Sequence, residues 1–154
     1  MATAIVTNDQ DAVTSEVLIA APPERVFAAL TDPRQVMSWW VSDHCHIENF
    51  SIDRKAGGRY IHDTLRTNGS KLHCEGEVLE YDPPHRLSYT WIADWHEDRS
   101  RRTVVLWELE PHAGGTRVTV THSGLAQEPT ARKEYNNGWP NVAEKLKAFV
   151  ERSN

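Results

Sequence analysis

The chain has 154 residues, 39% hydrophobic and 25% charged, a balance that suits one folded domain with its own core and excludes a disordered segment. A formal net charge of −5 speaks against a phosphate-backbone binder and suits an anionic membrane surface poorly, so no nucleic-acid partner is expected. No stretch is apolar enough to span a membrane, the first residues lack the pattern of a signal peptide, and Cys45 and Cys74 make no disulfide framework, so a cytoplasmic location without integral membrane association is expected.

Residues 1–11 are polar with little periodicity and read as a flexible segment ahead of a single domain over 12–154. Val13 to Ala20 alternates as a strand, with Val17 and Ile19 on one face. Pro22 and Pro23 open a helix whose apolar side is Val26, Phe27, Ala29 and Leu30. Asp32-Pro33 ends it and caps a second short helix, in which Val36, Met37 and Trp40 share a face.

Residues 41–49 read as a loop and 50–53 as a short strand. Further strands are predicted over 59–65, 71–81, 86–93, 101–110 and 116–123. Asn68-Gly69, Asp82-Pro83-Pro84, the polar run 94–100 and the turn at 111–115 separate them. Trp139, Val142, Ala143, Leu146, Phe149 and Val150 recur at helical spacing, and Pro140 predicts a kink or a restart in that helix. Tight turns between consecutive strands imply an antiparallel sheet. The fold class is therefore α+β: a curved antiparallel sheet of about six to seven strands around a long C-terminal helix, with two short helices after the first strand. The space between sheet and helix is the candidate site.

Strand parity turns Tyr60, Tyr89, Trp91 and Trp107 toward that space, and Trp40 and Trp139 lie on the helices nearby. So many polar-tipped aromatics read either as a cavity wall or as ordinary core packing; their need for buried partners favours the wall. His62, His122 and Cys74 share the inward parity. Each histidine is a candidate base if the protein is an enzyme, and otherwise a core histidine bonded to a neighbour. No acid partners them: Glu77 and Glu108 point outward, and Asp63 faces away from His62. No catalytic residue is assigned. Cys74 reads as a small buried hydrophobe before it reads as a reactive thiol. His44-Cys45-His46 and His73-Cys74 are tempting ligands, but their spacing fits no zinc pattern, and neither a metal nor a cofactor is expected.

A set of phrases carries a resemblance. Ala21-Pro22-Pro23-Glu24-Arg25-Val26-Phe27 leads through Leu30-Thr31-Asp32-Pro33 to Trp39-Trp40. Gly57-Gly58-Arg59-Tyr60, Gly76-Glu77-Val78, Asp82-Pro83-Pro84 and Tyr89-Thr90-Trp91 follow, then Gly115-Thr116, His122-Ser123-Gly124 and Gly138-Trp139. In that order, over roughly residues 13–152, they resemble the Hsp90-ATPase-activator-like family of the START-like, polyketide-cyclase-like (SRPBCC) helix-grip superfamily. The resemblance implies a START/Bet v1-like helix-grip fold with a cavity between sheet and helix. Functions in that superfamily range from lipid and hormone carriage to cyclisation, so fold analogy does not settle activity. Hsp90 interaction is not expected, because the eukaryotic co-chaperone uses an added N-terminal domain for which 154 residues leave no room.

The expected function is binding of a small apolar or amphipathic molecule in a cavity lined by Trp40, Tyr60, His62, Cys74, Tyr89, Trp91, Trp107, His122 and Trp139. His122, Tyr89, His62 or Trp N–H donors would meet its polar groups. Two alternatives stay open. One is a cyclase- or isomerase-like enzyme using His122 or His62 as base. The other is a chaperone cofactor or protein-interaction module anchored by Trp95 and Trp39. A homodimer is compatible with the spare aromatics.

Overall fold

The alternation in the sequence becomes an eight-stranded antiparallel sheet in the computed structural model, which describes residues 2–152. In chain order the elements are β1 (Thr3–Val6), β2 (Val13–Ile19), α1 (Pro23–Thr31), α2 (Pro33–Trp39), β3 (Cys45–Ile52) and β4 (Arg59–Arg66). Then come β5 (Lys71–Asp82), β6 (Arg86–Ala93), β7 (Thr103–His112), β8 (Gly115–Ser123) and α3 (Pro129–Arg152). The spatial order β1-β2-β8-β7-β6-β5-β4-β3 follows from hairpins between consecutive strands, with β2 returning to pair β8. The helix-grip architecture expected from the sequence is present, with eight strands rather than six or seven.

The eighth strand comes from residues expected to be loose. Thr3–Val6 pair with Val13–Glu16, and the buried Ser15 hydroxyl donates to Thr3 O at 2.6 Å. The Ala2 N–H donates to Glu144 Oε1 on α3 at 2.6 Å. The short side chains of Ala2 and Ala4 pack on the core, a signal too weak for periodicity to detect.

β3 begins at Cys45, inside the segment that reads as a loop. Ile47 and Phe50 are both buried, but a register shift between Ile47 and Asn49 breaks the period of two that would have revealed the strand. α3 passes through Pro140 without interruption. One lost backbone bond is outweighed there by the packing of Trp139, Ala143 and Leu146 on the core. In α2 the buried face is Val36 and Trp39, whose Nε1 donates to Ala29 O at 2.8 Å, while Met37 is exposed.

What positions the site is the slant of α3. It packs closely on β2 and β1 and touches α1 and α2, whereas β4, β5 and β6 stand further from it. Large side chains and a cavity fill that wider gap. Gly76 shapes the sheet there: a Cβ at this position would lie 1.8 Å from Thr90 O, so only glycine lets β5 approach β6 so closely. The Thr90 hydroxyl accepts the Glu77 N–H at 2.8 Å in the same crossing.

Candidate functional site

The gap holds a cavity of about 330 Å³, within the range of small-molecule sites. Trp40 from the end of α2, His62 from β4, Cys74 from β5 and Trp91 from β6 form one side; Tyr135 and Trp139 from α3 form the other. Tyr135 and Trp139 are four residues apart, so one helix face carries both. Between them Gly138 leaves that face bare, with nothing within 4 Å of where its Cβ would be. Exposed Arg66, His73 and Glu134 mark the rim, and half-buried Trp95 also borders the space.

Of the nine residues expected to line the cavity, Trp40, His62, Cys74, Trp91 and Trp139 do so. Tyr60, Tyr89, Trp107 and His122 lie behind them as a second layer, and their polar atoms are engaged there. Trp107 Nε1 donates to the Tyr89 hydroxyl at 3.0 Å, and the Tyr60 and Tyr89 rings stack at 3.9 Å. Trp139 Nε1 donates to His122 Nδ1 at 3.2 Å. Thr103 Oγ1 donates to Trp91 O at 2.6 Å, so its lone pair is free to accept from His122 Nε2–H at 2.8 Å. His122 is thus a neutral imidazole with both nitrogens satisfied. Burial pushes its pKa well below the usual range. To act as a base it would have to give up the bond from Trp139. His122 and Tyr89, expected to meet a ligand's polar groups, stand behind the wall rather than in it, with these bonds made inside the protein.

Two of the tryptophan donors are spent in the same way. Trp91 Nε1 donates to the Tyr135 hydroxyl at 2.8 Å, and Trp139 Nε1 is held by His122. The Tyr135 hydroxyl also bonds His96 Nε2 at 2.7 Å. His62 differs. Its Nδ1 bonds the Tyr60 hydroxyl at 3.0 Å, which leaves Nε2 as the ring's remaining polar atom at the cavity wall. Desolvation, barely opposed by Asp63, lowers its pKa to about 3, so the ring is neutral. In either tautomer it presents one hydrogen-bonding group. At that pKa it is a weak base near neutrality. Beside it burial pushes the Cys74 thiol up, so it too is uncharged.

Cys45 also borders the cavity, but it pairs with Arg66 while Cys74 pairs with His62, four residues back along β4. That is roughly 13 Å along the strand, too far for a disulfide, and both thiols are free. His73 lies across the strand on the outer face, between Asp63 and Glu75. Among the described residues no group of three or more His, Cys, Asp or Glu side chains is placed to hold a metal ion.

The loop from Asp94 to Arg101 closes one end of the site and is pinned from below. Glu128 is wholly buried and accepts from Glu97 N at 2.8 Å, Asp98 N at 3.0 Å and Arg101 Nε at 2.8 Å. Burial opposes its charge, but Arg101 and the two amides prevail and hold its carboxyl below the usual range. The two tryptophans expected as partner anchors are not free surface. Trp39 is 3% exposed, and Trp95 packs on Tyr135 at 5.3 Å. Tyr135 itself escapes strand parity, although its four-residue spacing from Trp139 is visible in the sequence.

No helix among the described residues is long and apolar enough to cross a membrane. No curated protein gives a significant sequence match. Among solved structures, a protein from Mesorhizobium loti is 31% identical over 93% of this chain and 98% of its own, with a TM-score of 0.71. One from Rhodobacter sphaeroides superimposes with a TM-score of 0.84 at 20% identity, covering 98% of both chains. An AHSA1 protein from Silicibacter pomeroyi, 23% identical, covers 93% of this chain and 99% of its own with a TM-score of 0.77. The family model described as activator of Hsp90 ATPase homolog 1-like protein matches residues 20–151, nearly all of the helix-grip domain. With motifs, fold and family model in agreement, this chain belongs to the activator of Hsp90 ATPase homolog 1-like family.

Proposed function

We propose that this protein binds a small, mostly apolar molecule in the cavity between α3 and strands β4 to β6. One observation carries the reading: a space of about 330 Å³ walled by indole and phenol rings, with the neutral His62 ring as its inner polar contact. A filled core would have closed around Gly138; instead the helix face there is open. Burying roughly 200 Å² of ligand surface at about 25 cal/mol per Å² supplies about 5 kcal/mol before ordering costs. The single bond to His62 then sets orientation rather than affinity. Two free thiols suit a reducing compartment, which supports a cytoplasmic site of action.

Native mass spectrometry of freshly purified protein, compared with its denatured mass, tests the reading. The expected result is an excess mass lost on denaturation, or, for an empty cavity, a thermal shift with members of a lipophilic library. A bare mass together with no shift and no change in tryptophan emission across the library would overturn it.

A further inference from the structure

The wall has a chemical preference of its own. We propose that the cavity selects an organic ammonium cation, with a trimethylammonium-like head seated among Trp40, Trp91, Tyr135 and Trp139. The proposal rests on the reading of the cavity as a ligand site and adds the sign of the ligand's charge.

The four rings wall one space, Tyr135 and Trp139 nearly parallel at 29° on the helix and the other rings set steeply to them. Trp40 and Trp139 meet at 63° with centroids 5.9 Å apart, and Trp91 and Trp139 at 63° and 6.0 Å. Trp91 and Tyr135 meet at 86° and 6.4 Å. An aromatic ring is negative on its face and positive at its edge. The most positive edge atoms here, the N–H groups of Trp91 and Trp139, are turned into the protein and bonded to Tyr135 and His122. These two indoles therefore offer the cavity ring surface and no donor. An anion would find no donor on either of them.

Nothing inside opposes a cation. His62 is a neutral ring, and the Cys74 thiol is buried and protonated. The rim carries one charge of each sign in Arg66 and Glu134, beside His73 held between Asp63 and Glu75. The chain as a whole carries −5, and its field draws cations. A volume of about 330 Å³ accommodates such a head with an apolar substituent behind it.

The test compares choline with its neutral carbon isostere, in which a tert-butyl group replaces the trimethylammonium. Isothermal titration and tryptophan quenching are run at matched ionic strength. Shape is the same for both, so the ratio of affinities reads the cation–ring attraction net of the cost of desolvating the charge. Choline is expected to bind roughly tenfold tighter. Trp40→Leu keeps apolar bulk and is expected to abolish that ratio while isostere affinity stays within about twofold. Trp40→Phe, which keeps a ring with a weaker negative face, supplies a second variant, expected to lower the ratio, should the first misfold by far-ultraviolet circular dichroism. Equal or tighter binding of the isostere would overturn cation selection and leave the apolar-ligand reading standing. Silence of both probes with a responsive lipophilic library would do the same. Silence of probes and library alike would remove both.

Discussion

His122, a candidate for two chemistries in the sequence, has both ring nitrogens bonded within the protein. It has the burial of a catalytic base, but it accepts from Trp139 and donates to Thr103, so its work is to hold the indole that walls the cavity. Replacing it by Leu leaves the Trp139 N–H buried without an acceptor. His122→Leu is expected to lower unfolding free energy by about 2–3 kcal/mol, read from urea denaturation. A loss under about 0.5 kcal/mol would mean that the bond contributes little. Alternation of residues told which side chains face inward, and His62, Cys74 and Trp91 do. It could not tell Trp91, at the cavity, from Trp107 behind it. Both share a face, and only the distance of α3 from each strand separates them.

Among the elements, α3 is both cover and wall, and Gly138 is where those roles conflict. A glycine within a helix costs about 1 kcal/mol relative to alanine. Here the added methyl would meet open space. Gly138→Ala is expected to raise stability by about 0.5–1 kcal/mol in chemical denaturation. The same methyl enters the cavity, so affinity for a ligand that fills it should fall. A stabilised variant with unchanged binding would place the ligand away from α3. The apolar spacing of α3 was plain in the sequence, yet Pro140 argued for a break that tertiary packing overrides. In β3 the failure was of another kind: one register shift hid a strand whose two buried anchors are not an even number of residues apart.

For the molecule as a whole, burial of neutral histidines ties stability to pH. His62 and His122 are both held below their unfolded pKa, so the unfolded chain binds more protons once pH drops under about 6.5. Stability is therefore fully present above that pH and is lost as pH falls toward the folded values. His62 alone is expected to cost about 2 kcal/mol between pH 7 and 5, and His122 acts in the same direction. His73 runs the other way. Desolvation pulls it down, but its bonds to Asp63 and Glu75 prevail and raise it, so its contribution fades as pH rises. It is half-exposed, and the effect is small. Urea midpoints at pH 7 and 5 check the sum; equal stabilities would mean the buried rings are already protonated or become hydrated. Overall architecture was the most legible level, because turn residues and alternation fix strand order locally. Strand count was less so, since a short edge strand such as Thr3–Val6 carries almost no pattern.

The ring geometry of the wall also has an optical consequence. Trp39 and Trp40 stack at 5.2 Å, and Trp91 and Trp139 are skewed at 6.0 Å. Indoles so close, fixed by buried bonds at Trp39, Trp91 and Trp139, couple their electronic transitions in a chiral array. The near-ultraviolet circular dichroism of this protein should be intense and native-specific. A guest that parts or twists those rings would then announce itself in ellipticity, unlabelled and whatever its chemical identity.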